Sequence, residues 1–304
     1  MTQGTRMSAA VTTVFAILLA AGALAFAGCR PRGQGVAIQN KGSDTMVNVA
    51  QAWAEAYQKV APGVNVEVSG GGSGTGIAAL IKGTVHIANA SRDVKPEEAE
   101  QVRHNTGLDP KDFKVGYDAL AVYVHPNSPL ESITFEQLSG IYREDGTLVR
   151  WTQLGAPVPG CKSDEIVRLS RQSSSGTYDF FRERVLDRRD FKLGSRDLNG
   201  SKEVVELVAT TPCAIGYSGM GYATPRVKIL KVARRAGEPA YPPTVETTWS
   251  HSYPIARSLH MYTLGEPQGA VKAYLAWVLS ADGQRILQES GYVPVPPPAG
   301  SRLP

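Results

Sequence analysis

A chain of 304 residues exceeds what one core ordinarily fills and suits two domains. At 42% hydrophobic and 20% charged it has the composition of a soluble globular protein. The net charge of +4 is small and Lys and Arg are scattered, which argues against a nucleic-acid binder with a basic stripe; an anionic ligand is compatible but not demanded.

In chain order, Arg6 precedes an apolar run from Met7 to Ala27, which ends in Phe26-Ala27-Gly28-Cys29. A short positive region, an apolar stretch and small residues before a cut read as an export signal over residues 1–28. Cys29 after Ala-Gly resembles a bacterial lipobox, where the cysteine is lipidated and cleavage falls just before it; Phe26 stands where Leu is usual. The run is also long enough to span a bilayer, so an uncleaved anchor helix, or plain secretion, stays open. All three readings put the folded part outside the cytoplasm. With Cys29 lipidated, Cys161 and Cys213 remain. In an oxidising compartment they predict a disulfide, with two separate buried thiols as the alternative.

Residues 29–35 read as a tether. Val36 to Ile38 reads as a strand, and Val47 to Val60 as a helix stopped by Pro62-Gly63. Val64 to Val68 alternates like a half-buried strand. Ile77 to Ile81 begins a helix that stops at Gly83. Val85 to Ala88 is a short strand, Pro96 to Thr106 a charged helix, Leu120 to Val124 an apolar strand and Phe135 to Tyr142 a short helix. Ile166 to Leu169 is a strand. Tyr178 to Leu186 and Ser201 to Ala209 are helices, with the strand Ala214 to Tyr217 after them. A strand from Ile255 to Tyr262 and a helix from Val271 to Ser280 close the fold, and Val293 to Pro304 is Pro-rich and irregular. The alternation predicts an α/β protein with mostly parallel sheets covered by helices.

Three loops share one design: rich in Gly, Ser and Thr, each follows a strand and opens a helix. They are Lys41-Gly42-Ser43-Asp44-Thr45-Met46, Gly70-Gly71-Gly72-Ser73-Gly74-Thr75-Gly76, and Arg171-Gln172-Ser173-Ser174-Ser175-Gly176-Thr177. The first turn of a helix leaves N–H groups without intrahelical partners, and the helix dipole adds positive potential there. Such tips bind anions, and glycine lets the backbone approach closely. One loop alone would more often be an ordinary cap. Three in one exported chain, the third led by Arg171, whose guanidinium suits phosphate-like oxygens, point to an oxyanion.

Other chemistries lack their motifs. There is no G-x-x-x-x-G-K-[ST], no G-x-S-x-G and no H-E-x-x-H. His86, His104, His125, His251 and His260 are dispersed, without metal spacing. No cofactor or metal is expected.

Gly42-Ser43-Asp44-Thr45-Met46, Trp53-Ala54-Glu55-Ala56-Tyr57 and Gly71 to Ile77 resemble the start of a phosphate-binding protein of the high-affinity phosphate ABC importer, the PstS family. The resemblance continues through Ile87 to Arg92, Gly116 to Val122, Arg171 with Ser175-Gly176-Thr177, Ala214 to Gly219, Tyr253 to Arg257, Trp277 to Ser280 and Gly291 to Pro294. It implies a type II periplasmic-binding fold: one domain of 36–118 plus 260–304, a second of 124–254, and hinge crossings at 119–123 and 255–259. It also implies phosphate contacts from Ser43, Asp44, Thr45, Ser73, Arg171, Ser175, Gly176 and Thr177. Ser91 falls where some members carry the Asp that accepts the phosphate proton. Asp44 is the first replacement for that acceptor and Asp118 the second. The resemblance further implies ABC importer permease subunits as partners, a monomer, and binding without catalysis. Another oxyanion (sulfate, molybdate, arsenate), an extracytoplasmic phosphatase using Ser73 or Ser175, and a phosphate sensor without an importer are the rivals.

Overall fold

The computed structural model describes residues 35–296; the export signal, Cys29, the tether up to residue 34 and residues 297–304 of the tail lie outside the described residues. The chain runs β1 (Val36–Gly42), α1 (Val47–Val60), β2 (Val64–Ser69), α2 (Ser73–Ile81), β3 (Ile87–Ala90), α3 (Pro96–Thr106) and β4 (Pro110–Val124). It continues through β5 (Ser132–Thr134), α4 (Phe135–Tyr142), β6 (Val167–Arg171), α5 (Gly176–Arg184), β7 (Arg196–Leu198), α6 (Ser201–Thr210) and β8 (Ala214–Gly219). The last elements are β9 (Lys228–Ile229), β10 (Lys231–Ala233), α7 (Val245–Trp249), β11 (Ala256–Leu264), α8 (Gly269–Val278) and α9 (Ala281–Glu289).

The main sheet has the order β2-β1-β3-β11-β4-β8-β6-β7, with β9 on the far part of β4. Its two ends are parallel, β1 with β2 and β3, and β6 with β7 and β8. Its middle is antiparallel, β11 against β3 and β4, and β4 against β8. The expected mostly parallel sheets therefore hold only at the ends: β11 runs back from one end to the other, against the strands it joins. β4 is the other shared strand. Pro110 to Ala119 pairs with β11, while Leu120 to Val124 pairs with β8. Sequence periodicity finds only its apolar second part, because Lys111, Asp112 and Lys114 are exposed.

Each end of the sheet has its own core. Ile38, Trp53, Ile87, Met261, Tyr274 and Leu287 are buried together at the first. Trp151, Phe181, Tyr217, Leu230 and Ile255 are buried together at the second. Phe181 and Tyr217 stack there with centroids 3.9 Å apart. A fully buried side chain of this size contributes about 1.5–3 kcal/mol, so either cluster is enough to hold the helices around it. Within these halves the helix tips start earlier than periodicity suggests. α2 opens at Ser73 rather than Ile77, and α5 at Gly176 rather than Tyr178. Small residues carry no apolar signal, yet they form the first turns.

Cys161 and Cys213 are disulfide-bonded, with Cα atoms 4.9 Å apart, and clamp the approach to β6 onto the approach to β8. The bridge closes a separation of 52 residues. Cys161→Ser with Cys213→Ser is expected to lower unfolding free energy by about 2–4 kcal/mol. Any anion affinity of the loops described below should barely change, since the bridge is outside them. Denaturant unfolding and calorimetry on the double variant check both.

Candidate anion-binding site between the two halves

Loop one follows β1 and reaches α1 through Ser43–Met46. Ser43 N donates to Asn89 O at 2.9 Å, which fixes this loop on the end of β3. Loop two is held to loop one by Gly72 N, which donates to Gly42 O at 3.0 Å. Loop three follows β6, and Ser175 caps α5 by accepting from Thr177 N at 3.1 Å. Ser91 comes directly after β3.

These pieces converge. Ser43 Oγ donates to Ser91 Oγ at 2.9 Å, and Ser91 N donates to Ser73 Oγ at 3.0 Å, all within the first half. The second half closes onto them. Thr45 and Thr177 hydroxyls lie 2.8 Å apart, Gly74 N donates to Ser174 O at 2.9 Å, and Ser174 Oγ donates to Gly71 O at 3.0 Å. A Cβ on Gly176 would stand 2.3 Å from Ser73 Oγ and 2.8 Å from Ser91 Oγ, so this tip comes within contact of two hydroxyls of the first half. Gly72, at φ +98°, has the same role on the other side, since a Cβ there would sit 2.4 Å from Ser174 O. Ser43, Thr45, Ser73, Ser91, Ser175 and Thr177 are all buried.

Asp44 is not a helix cap. Met46 holds that position, and the Asp44 carboxylate turns away, accepting from Gly71 N at 2.7 Å and from Arg171 Nη2 at 3.3 Å. Burial pushes the Asp44 carboxyl above the ordinary carboxylate range, against the opposing pull of the Gly71 N–H and the Arg171 charge. Arg171 is fully buried and crosses from the second half to reach Asp44. Its remaining donors go to Asn199 O at 2.8 Å, Ser201 Oγ at 2.9 Å and Leu198 O at 3.3 Å. Burial lowers the Arg171 pKa, with Asp44 acting against it.

Asp118, the second acceptor suggested by sequence, is already engaged. Its Oδ2 accepts from Arg257 Nε at 3.0 Å and Nη2 at 2.7 Å, and its Oδ1 accepts from Met220 N at 2.9 Å. Arg257 was not among the residues proposed for the site. Its Nη2 also donates to Thr177 Oγ1 at 2.9 Å and to Thr45 Oγ1 at 3.3 Å, so it touches the tips of both halves. One sign of it was present in the sequence: a lone charge between the apolar residues Ile255 and Leu259 of a strand.

Two buried guanidinium–carboxylate pairs cancel in formal charge. Attraction for an anion here comes chiefly from N–H and O–H dipoles, which suits a small oxyanion that must shed water. Ser73 and Ser175 hydrogen-bond to Ser91 and Thr177, and among the described residues no His or carboxylate bonds either hydroxyl. Among the described residues no cluster of His, Cys, Asp or Glu has metal-binding geometry.

The rim adds a cross-half ion pair that sequence reading missed. Arg92 makes a two-pronged pair with Glu98, and its Nε lies 2.9 Å from Asp179 Oδ2, a contact of charge rather than an aligned hydrogen bond. Lys95 Nζ lies 3.4 Å from the same oxygen. Asp179→Asn should weaken anion binding between the halves about two- to fivefold, the scale of a partly exposed pair. The change should appear mainly as faster release in stopped-flow measurements.

The PBP superfamily domain model matches residues 7–282. Phosphate-binding protein PstS of Pseudomonas aeruginosa is 31% identical over 271 residues, spanning 85% of this chain and 83% of its own length. Phosphate-binding protein PstS of Bacillus subtilis is 32% identical over 259 residues, spanning 84% and 79%. A Clostridium perfringens protein described as a phosphate ABC transporter substrate-binding protein, solved with bound phosphate, superposes with a TM-score of 0.74 at 29% identity. The match covers 86% of this chain and 100% of that one. An ABC-type phosphate transport receptor from Vibrio cholerae superposes with a TM-score of 0.66 at 26% identity, over 85% and 100%. The chain belongs to the PBP superfamily and, within it, to the PstS family of phosphate-binding proteins.

Proposed function

We propose that this protein captures inorganic phosphate between its two halves outside the cytoplasm and delivers it to the permease subunits of an ABC importer. The observation that carries this is the meeting of Ser43, Ser73 and Ser91 from one half with Ser175, Gly176 and Thr177 from the other. Hydroxyls gathered from two helix tips of opposite halves suit a tetrahedral oxyanion. Phosphate is the form favoured by the relatives' names and by Asp44, whose carboxylate belongs to the first loop and accepts from Gly71 N and Arg171 Nη2. A carboxylate accepts the proton that phosphate carries near neutral pH and offers nothing to sulfate.

The domains we assign are 36–118 plus 260–304 and 124–254, joined at 119–123 and 255–259. The open form offers half a site on each domain, and the anion favours closure through contacts it makes with both. Cys29 is the proposed lipid attachment, which keeps the protein at the membrane, and the working form is a monomer. No helix among the described residues is long and apolar enough to cross a membrane.

Titration calorimetry with phosphate, sulfate, molybdate and arsenate tests the reading. Phosphate should give saturable heat and sulfate none. No phosphate heat, or sulfate binding as tight as phosphate, would refute it. A phosphomonoester turnover assay distinguishes the phosphatase alternative, and no turnover is expected.

A further inference from the structure

Arg257 stands on β11 directly opposite Asp118 on β4, where the two halves join. It is buried, yet its guanidinium is only partly used. Nε and Nη2 share Asp118 Oδ2, and Nη2 also reaches the Thr45 and Thr177 hydroxyls. Nη1 is buried without a hydrogen-bond partner among the described residues. Arg171 differs: Nε, Nη1 and Nη2 all have protein partners.

A buried charged donor without an acceptor is costly, so Nη1 calls for one. Three features say where it comes from. Asp118 occupies the Nε–Nη2 edge. The Phe180 ring lies 5.5 Å from Cζ and covers a face of the guanidinium. The Nη1–Nη2 end is what remains, and Nη2 there already bonds the hydroxyls at the tips of both halves. That end is the fork that binds oxyanions two-pronged. Nη2 donates to both threonine oxygens and one threonine hydroxyl donates to the other across 2.8 Å, so one hydroxyl hydrogen is left to point at a further acceptor.

We propose that Arg257 is a second guanidinium of the oxyanion site and that its Nη1 donates to an oxygen of the bound anion. The proposal rests on the phosphate reading above. Asp118 neutralises the charge, so Arg257 adds direction rather than net potential. It also contacts Thr45 and Thr177 from the strand that joins the halves, so it engages the anion fully only when both tips are in place.

Calorimetry with phosphate on wild type, Arg257→Lys and the paired variant Asp118→Asn/Arg257→Gln tests this. The paired variant removes both charges and leaves no carboxylate stranded. Melting without phosphate reports on folding separately. Both variants should bind phosphate about ten- to a hundredfold more weakly, the scale of one charged hydrogen bond. A crystal structure of the wild-type phosphate complex should place a phosphate oxygen about 3 Å from Nη1. A folded variant binding within about threefold of wild type would overturn the proposal, as would a complex in which Nη1 meets only water or protein. If wild type itself shows no phosphate binding, the functional reading fails first.

Discussion

Arg171→Ala is expected to bind phosphate at least about a hundredfold more weakly than wild type, and to lose arsenate in the same proportion. The side chain is fully buried and links four partners: Asp44 across the cleft, and Leu198 O, Asn199 O and Ser201 at the start of α6. Removing one member of a buried ion pair costs about 3–5 kcal/mol, because the other charge remains without its counterion. Converted at about 1.4 kcal/mol per decade, that is about two to three and a half orders of magnitude in affinity if it falls wholly on the closed form. Part will fall on folding, since both carbonyls also lose a donor, so the melting temperature should drop as well. Unchanged phosphate heat in a folded Arg171→Ala protein would remove Arg171 from the site.

Asp44→Asn should act on selectivity as well as affinity. The amide keeps an oxygen for Gly71 N but brings N–H donors where the carboxylate accepted. Phosphate affinity should fall about a hundredfold, again through a broken buried pair, while sulfate should begin to bind. The pH dependence of wild type should reveal the same group. Burial raises the Asp44 pKa, so on acidification it takes up its proton earlier than an ordinary aspartate and stops accepting one from the ligand. Phosphate binding should therefore weaken on the acid side in wild type, and this limb should be absent from Asp44→Asn. Folding has the opposite sign. A raised folded-state value means that the Asp44 contribution to stability is fully present below about pH 4, the unfolded value, and is lost as pH rises through the folded one. Calorimetry and melting across the acid range should show the two trends diverging; parallel trends would exclude Asp44 as the acceptor.

Sequence reading reached most strands and helices and the three loops, because apolar periodicity and Gly–Ser–Thr tips are local signals. It missed what depends on distant pairing. The polar first part of β4 is a strand because β11 lies along it, and no local pattern indicates that. Ser73 and Gly176 belong to helices although neither is apolar. Arg257 and Asp118 were both visible as charges among apolar residues, but their pairing is a cross-strand register, 139 positions apart in the chain. Arg92 and Asp179 carry no local signal of their pairing, which exists because elements from the two halves meet.

With the halves divided as proposed above, the passage from one to the other runs through β4 and β11, which are hydrogen-bonded to each other over Pro110 to Ala119 and Ala256 to Leu264. A pair of loose loops would swing; a ladder has to be wrung. Opening is then torsion of a narrow ribbon, with the pairing irregularity between Leu259 and His260 as the place where extra twist is taken up most easily. On that division, the stiffness of these two strands, more than loop length, is expected to set how far and how fast the protein opens and closes.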